Sequence, residues 1–346
     1  MSTTLLDPHP ITDEVTRRGL LTGAAALGIL TVLPARGWGQ DAADAGPWEF
    51  TDDRGVTITL DQRPQRVVAF VSAAAALSDF GVRPIAIFGP SRREDGSRAD
   101  HQVGNLDLGE LTSVGNTYGE FNVEQYAALR PDLLVSLMYT PEPPLWYVPE
   151  ESAAEIERVA PTVGIEISGT ITTVDKTIGR FAELALALGA DPEGPGFTGA
   201  KARFDAASQD LAAIARDKPG LKVMAASGYT EGLYVAKPGE ANDLRYFAEL
   251  GLDIVAPRGE GDFWEALSWE QTDRYPADVI LHDARFQAFT LEHMAEEFPT
   301  WSQLPAVQAG QIIPWRFEAP YSYASFASVI EEINAALKSF DEGLVG

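Results

Sequence analysis

The chain has 346 residues, of which 45% are hydrophobic, and its formal net charge at pH 7 is −25; this length suggests about two domains. No cluster of lysines and arginines forms a surface for a phosphate backbone, which argues against nucleic-acid binding. The absence of cysteine excludes disulfides, thiolate metal sites, a cysteine nucleophile and a lipid-anchoring cysteine together.

Residues 1–45 are interpreted as an export signal and linker. Arg17 and Arg18 precede an apolar run at 20–33, whose 14 residues are too few for a membrane span, which needs about 20. A charged start, a short apolar stretch and small residues after it are typical of an export signal. Adjacent arginines followed by leucines favour the twin-arginine type, and an ordinary secretory signal is the alternative.

From residue 46 onward, short apolar runs alternate with helical patterns. Residues 48–60 predict a hairpin turning at Asp53-Arg54-Gly55. Ser72 is a candidate N-cap for a helix at 73–80. Further strands are predicted at 67–71, 84–88, 133–137 and 163–167, and a further helix at 152–159. This alternation predicts an α/β lobe with a parallel sheet over residues 46–172.

The middle of the chain has a different pattern. Residues 173–217 contain two helical patterns, 174–188 and 199–217, with no strand between them, and they predict a helical bridge between two lobes. Residues 194–199 match G-x-G-x-x-G, but they follow a helix rather than a strand. They are therefore interpreted as a loop and not as a dinucleotide site.

Residues 218–346 return to the α/β alternation and predict a second lobe. Strands are predicted at 221–226, 233–236, 279–281 and 311–314, and helices at 241–250 and 324–340.

One helix–strand unit occurs once in each lobe, at residues 121–137 and 267–281. Asn122 and Ser268 are the predicted N-caps of its helices, which a proline ends in each case. Each unit presents a carboxylate, Glu124 or Glu270, on the first helical turn. Its strand leads to a loop expected to bind ligand, and the glutamate is expected at the opposite end of the unit.

The loops that follow the predicted strands combine arginines with aromatic residues, although the chain is strongly acidic. Ligands of open α/β sheets bind beyond the carboxyl ends of the strands. Arginine binds carboxylate or phenolate-type oxygens through a rigid fork, and aromatic rings supply flat apolar walls. A bulky, partly aromatic or anionic small molecule is therefore expected to contact Arg92, Arg93, Tyr139, Trp146, Tyr147, Tyr229, Arg285, Trp315 and Arg316.

The sequence contains no G-x-S-x-G elbow, no H-E-x-x-H and no G-x-x-x-x-G-K-[ST] loop. We therefore expect a binding protein rather than an enzyme, with no cofactor and no directly bound metal. A secreted hydrolase built on two α/β lobes is the alternative of another class. A divalent-metal binder is disfavoured because the four histidines are scattered.

Residues 48–340 resemble the iron-siderophore/cobalamin class of ABC-transporter solute-binding proteins. The resemblance rests on W-E-F-T-D-D-R-G-V-T-I-T-L-D-Q-R-P-Q-R-V-V-A-F, on L-R-P-D-L-L-V in the repeated unit, on the helical bridge and on W-S-Q-L-P-A-V-Q-A-G-Q-I-I-P-W. It implies two Rossmann-like lobes with central β-sheets, joined by a rigid backbone helix, with a shallow ligand cleft between the lobes. In that family an acidic residue on each lobe docks onto basic residues of the permease, at positions that match Glu124 and Glu270. The alternative for each is a helix-dipole acid, worth about 0.3–1 kcal/mol.

The resemblance implies an exported monomer that captures a ferric siderophore and delivers it to a membrane permease. Its expected location is the periplasm or cell envelope, without a lipid anchor. Haem and cobalamin are alternative ligands, and Tyr139, Tyr147 or Tyr229 is a candidate axial ligand for haem. The identity of the siderophore, its affinity, the permease and the cleavage of the signal stay open.

Overall fold

The computed structural model describes residues 46–139, 145–169, 172–285 and 288–345, and the predicted export signal lies outside them. The first described elements are β1 (Trp48–Thr51) and β2 (Thr57–Leu60), which pair antiparallel as the predicted hairpin. In this described part of the chain, no helix has the length and apolar character needed to cross a bilayer.

The N-terminal lobe is built on a parallel sheet, as the alternation predicts. Its elements are β3 (Val67–Phe70), α1 (Val71–Asp79), β4 (Ala86–Phe88), α2 (Asp100–Val103), β5 (Thr112–Ser113), α3 (Val123–Ala128), β6 (Leu133–Met138), α4 (Glu150–Val159) and β7 (Thr162–Glu166). The strands pair in the order β5-β4-β3-β6-β7. Strands β3 and β6 are buried along their whole length, which is why they appear in the sequence as continuous apolar runs.

The first helix starts earlier than predicted. Strand β3 passes into α1 without a loop, so that Phe70 occupies the N-cap position and Val71 begins the helix. Ser72 therefore lies buried inside the first turn, and its hydroxyl has no hydrogen-bond partner among the described residues. The prediction that Ser72 caps this helix is wrong.

Helices α5 (Val174–Ala187) and α6 (Gly199–Asp217) connect the two sheets. The loop before α6 packs against the end of α1, where the ring of Phe197 lies 4.8 Å from that of Phe80. At its other end Lys218 donates to the carbonyl oxygen of Leu337 at 2.7 Å, in the C-terminal lobe. A Cβ on Gly196 would lie 2.2 Å from a carbonyl oxygen of α1, so the G-x-G-x-x-G stretch is a packing loop, as predicted.

The C-terminal lobe has a mixed sheet. Its elements are β8 (Lys222–Tyr229), β9 (Gly232–Ala236), α7 (Asn242–Glu249), β10 (Asp253–Ile254), β11 (Trp264–Leu267), a 3₁₀ turn (Trp269–Arg274), β12 (Val279–Asp283), α8 (Leu291–Glu297), α9 (Pro299–Ser302), α10 (Pro305–Gln308), β13 (Ile312–Trp315) and α11 (Tyr323–Ser339). The order is β11-β9-β8-β12-β13, with β10 beside β8. The tight hairpin between β8 and β9 makes β9 antiparallel to β8, and β11 in turn pairs antiparallel with β9.

The two repeated units differ at their helix starts. In the first, the side chain of Asn122 accepts from the backbone N–H of Gln125 at 2.9 Å, as predicted. In the second, the helix is a 3₁₀ turn broken at Gln271, where φ is −114°. There the backbone carbonyl of Ser268, not its side chain, accepts from Gln271 at 2.9 Å, so the predicted Ser268 cap is wrong.

Candidate functional site

The carboxyl ends of strands from both lobes meet at one place. Tyr139 follows β6 in the N-terminal lobe, while Arg285 and Glu318 follow β12 and β13 in the C-terminal lobe. The phenol of Tyr139 donates to the carboxylate of Glu318, and Arg285 Nη1 donates to the same carboxylate at 3.1 Å. The structure therefore brings the predicted residues Tyr139 and Arg285 together, where ligands bind in open α/β folds.

Five residues form what we call the central cluster: Gln102, Tyr139, Asp283, Arg285 and Glu318. Gln102 Nε2 donates to Glu318 Oε2 at 2.7 Å, and Arg285 Nη2 donates to Asp283 Oδ2 at 2.8 Å. Glu318 is only 2% exposed and has a positive φ of 62°, an uncommon conformation for a non-glycine residue. Glu318 therefore accepts hydrogen bonds from both lobes at once.

The protonation states in the central cluster follow from these contacts. Burial alone lowers the pKa of Arg285, but the charges of Asp283 and Glu318 outweigh it and leave that pKa above its ordinary value. Burial raises the pKa of Asp283, but Arg285 outweighs it and holds that pKa below its ordinary value. Burial, followed by the charge of Glu318, raises the pKa of Tyr139 well above its usual range. At neutral pH the tyrosine is therefore a neutral donor beside an ion pair.

His101 on α2 is a buried histidine close to the central cluster. Burial lowers the pKa of His101 to about 4. The charge of Asp283 opposes this shift, whereas Arg285, Arg316 and Arg93 add to it. The Nε2 atom of His101 has no hydrogen-bond partner among the described residues. At neutral pH this side chain is therefore uncharged.

We call the region where the two lobes meet around the central cluster the cleft. Aromatic rings pack together there, and we call them the aromatic wall: Tyr118, Tyr139, Trp146, Tyr147 and Phe263. The ring of Trp146 lies 4.7 Å from that of Tyr139 and 5.5 Å from that of Tyr118. Phe263 brings the C-terminal lobe into contact, with its ring 5.4 Å from Tyr139. Tyr118 is 63% exposed, an unusual exposure for a large ring. Its position on Trp146 and Tyr147 makes it the outer edge of the wall.

The loop that carries Arg92 and Arg93 is fixed to the loop that carries Tyr118. The side-chain oxygen of Asn116 accepts from the backbone N–H groups of Ser91 and Arg92 at 3.0 and 2.9 Å. Both arginine side chains are exposed. They therefore lie on the rim of the cleft rather than in the central cluster.

Three predicted ligand residues have other surroundings. Arg316 pairs with Glu332 at 2.8 Å and, with His101, lines a pocket of about 240 Å³. Trp315 is buried, and its indole donates to the buried carboxylate of Asp243 at 2.7 Å. The ring of Tyr229 packs against Tyr234 at 5.4 Å, at the tip of the β8–β9 hairpin. No described contact joins the side chain of Trp315 or Tyr229 to the central cluster.

Glu124 and Glu270 are both exposed, one on each lobe. The backbone of Asn122 donates to Val114 at 2.6 Å, just after β5, so α3 begins at the carboxyl edge of the sheet. The indole of Trp269 donates to the carbonyl of Tyr229 at 3.2 Å, at the carboxyl end of β8. The two glutamates thus lie at the same edge as the ligand loops. The expectation that they occupy the opposite end is wrong, because each helix runs antiparallel to the strand that follows it.

Several cleft residues were not predicted from the sequence: Gln102, His101, Tyr118, Phe263, Asp283 and Glu318. Asp283 ends the observed strand β12, two residues beyond the predicted strand 279–281, so the rule about carboxyl ends would have found it once that strand was extended. The others lie in irregular or short elements distant along the chain from Tyr139 and Arg285. Among the described residues, no group of three or more histidines or carboxylates is placed to hold a metal ion.

Comparison with known proteins places the chain among similar molecules. A family model described as periplasmic binding protein matches residues 86–319. The solved structure of DesE, a ferric-siderophore receptor protein from Streptomyces coelicolor, is 38% identical, covers 86% of this chain and 99% of its own, and has a TM-score of 0.80.

Two further solved structures share the fold at lower identity. The siderophore periplasmic binding protein from the fuscachelin gene cluster of Thermobifida fusca is 24% identical, with a TM-score of 0.55, and covers 80% of this chain and 96% of its own. The petrobactin-binding protein YclQ from Bacillus subtilis is 15% identical, with a TM-score of 0.62, and covers 85% and 99%. No curated protein sequence matches this chain significantly.

Proposed function

The chain belongs to the periplasmic binding protein family, and we propose that it is the exported solute-binding component of an ABC importer, capturing a ferric siderophore and delivering it to the membrane permease. The observation that carries the proposal is the central cluster with its adjoining aromatic wall, at the carboxyl edges of both sheets. The similarity to DesE over nearly its whole length supports the same ligand class.

The binding chemistry follows from the donors and rings that the cleft offers. The guanidinium of Arg285 supplies hydrogen-bond donors for the oxygens that surround a chelated ferric ion. The indole N–H of Trp146 is a further donor, because it is buried and has no partner among the described residues. The aromatic wall suits the apolar parts of a bulky chelate. Arg92 and Arg93 reach the ligand from the rim.

Haem is a weaker candidate for this cleft. A tyrosine that ligates haem iron does so as a phenolate, whereas Tyr139 donates its proton to Glu318 and has a raised pKa. We infer that the protein is a binding protein and not an enzyme, in keeping with its family.

Tryptophan fluorescence tests the function directly. Ferric siderophores titrated into the mature protein are expected to quench fluorescence in a saturable way, largely through Trp146. In Trp146→Phe most of the quenching should be lost, while it should persist in Trp48→Phe, whose indole is held by the carbonyl of Ala187 at 2.8 Å outside the cleft. If no ferric siderophore quenches the fluorescence and a Soret band appears on mixing with haemin, the ligand is haem and not a ferric siderophore.

Glu124 and Glu270 are proposed as the permease-docking residues. Both carboxylates are exposed, and they stand on different lobes at the edge where the cleft lies. A membrane partner with basic residues at a matching spacing would contact both lobes together.

The proposed export route rests on Arg17 and Arg18 in the sequence. Replacing both with lysine is expected to keep the precursor in the cytoplasm if the signal is of the twin-arginine type. Immunoblots of periplasmic and cytoplasmic fractions measure this, and normal export of the variant would indicate the ordinary secretory route. The periplasm or cell envelope is the proposed location, and a monomer the proposed state.

A further inference from the structure

The charges of the cleft define which ferric chelates it accepts. Building on the proposed function, we propose that the cleft binds complexes whose net charge is zero or positive, of the tris-hydroxamate kind, and discriminates against trianionic tris-catecholate complexes.

The central cluster carries one positive and two negative charges. Arg285 is its cation, and the carboxylates of Asp283 and Glu318 lie 2.8 and 3.1 Å from the guanidinium. Glu318 accepts from Gln102, Tyr139 and Arg285 together, the hydrogen bonding of an ionised carboxylate, which is an acceptor only. Because Asp283 is ionised as well, the cluster has a net charge of −1.

Three sets of basic residues next to the cluster add no net positive charge. His101 is buried and uncharged at neutral pH. Arg316 is paired with Glu332 at 2.8 Å. The rim loop at 91–100 contains three arginines and three acids, so its charges cancel. His101, Arg316 and the rim loop therefore add no net positive charge to the cluster.

Residues 140–144, which follow Tyr139 in the sequence, and residues 286–287, which follow Arg285, contain no lysine or arginine. The formal charge of −25 for the whole chain adds a negative long-range field.

The chemistry of ferric chelates turns this charge balance into selectivity. Three hydroxamates carry one negative charge each and neutralise the ferric ion, whereas three catecholates carry two each and leave a net charge of −3. A trianion in this cleft would lose its hydration and meet two buried carboxylates with a single, already paired guanidinium. A neutral complex needs only donors for its oxygens, which Arg285 and the indole of Trp146 supply, and its methylene linkers suit the aromatic wall.

A charge series of hexadentate ferric complexes tests the inference. The probes are a neutral tris-hydroxamate, the same ligand with a pendant ammonium, and a tris-catecholate, each titrated against the mature protein by tryptophan fluorescence. The neutral and cationic complexes are expected to bind on the order of 100-fold more tightly than the tris-catecholate at low salt. Equal or tighter binding of the tris-catecholate overturns the charge inference and leaves the proposed function standing. Failure of all three complexes to bind overturns both.

A variant pair locates the origin of the selectivity. Glu318→Gln removes one negative charge from the central cluster and is expected to raise tris-catecholate affinity, relative to tris-hydroxamate, by roughly tenfold. Glu342→Gln is the matched control, since Glu342 is exposed beside Gly220, close to the start of β8 and therefore at the edge away from the cleft. Thermal unfolding of both variants verifies that they are folded. An unchanged affinity ratio in a folded Glu318→Gln protein overturns the assignment of selectivity to this carboxylate.

Discussion

Replacing Arg285 with methionine tests whether the central cluster is held by charge compensation. Methionine fills a similar space but leaves the carboxylates of Asp283 and Glu318 without their cation, although these residues are only 1% and 2% exposed. Removing one partner of a buried ion pair costs about 3–5 kcal/mol. Since stable domains unfold with about 5–15 kcal/mol, we expect Arg285→Met to fold but to lose a large part of its stability.

The pH dependence of this loss makes the test sharper. In the native protein the depressed pKa of Asp283 contributes stability that is present above the unfolded pKa and is lost as the pH falls. Without the guanidinium, burial raises the pKa of the same carboxyl, so the variant gains stability on protonation. The stability deficit of Arg285→Met relative to the native protein is therefore expected to shrink between about pH 7.5 and pH 5.

Urea unfolding followed by tryptophan fluorescence at both pH values measures the effect. Arg316→Met is the matched control, because Arg316 and Glu332 are 33% and 40% exposed and such a pair is worth about 0–1 kcal/mol. The reasoning is refuted if the two variants lose equal stability, or if the deficit of Arg285→Met grows as the pH falls.

Three further outcomes are expected. Gly196→Ala places a Cβ 2.2 Å from a backbone oxygen of α1 and should cost about 1–3 kcal/mol by chemical denaturation; Gly199→Ala, with open space around it, should cost nothing, and equal costs would contradict the packing account. Burial raises the pKa of Asp243 from 3.8 to about 6. The protonated carboxyl therefore contributes about 3 kcal/mol to stability below its unfolded pKa, and this contribution is lost as the pH rises through the folded pKa. Asp243→Asn should lack this slope between about pH 4 and pH 7 in urea unfolding, and an unaltered slope would assign it to other groups. Replacing both Glu124 and Glu270 with lysine should abolish siderophore uptake by cells while leaving the siderophore affinity of the purified protein unchanged. If uptake survives, the two carboxylates have no docking role and act only at their helix starts.

Much of the fold was predictable because its strands are buried on both faces. The apolar runs of β3 and β6 have no other interpretation in an alternating chain. The ends of α5 and α6 also match the predicted helices closely. Strand β11 was missed because W-E-A-L is short and pairs only with β9. The 3₁₀ turn that carries Glu270 was missed because capping residues do not distinguish it from an α-helix.

The candidate site was predictable only where it lies at strand ends. Tyr139 and Arg285 lie just after β6 and β12, at the carboxyl edges of their two sheets, where ligand residues are expected in open α/β folds. Glu318 and Gln102 are 216 residues apart along the chain, and nothing local indicates that they share a hydrogen bond. Trp315, by contrast, was predicted to contact the ligand but lies in the core. It ends a strand, but the alternation of side chains turns its ring into the core, toward Asp243.

The shared edge of the ligand loops and the exposed glutamates has a consequence for transfer. If Glu124 and Glu270 dock as proposed, a partner that contacts both would cover the mouth of the cleft, because one glutamate stands on each lobe beside it. A chelate released from the central cluster would then pass to that partner without crossing bulk solvent.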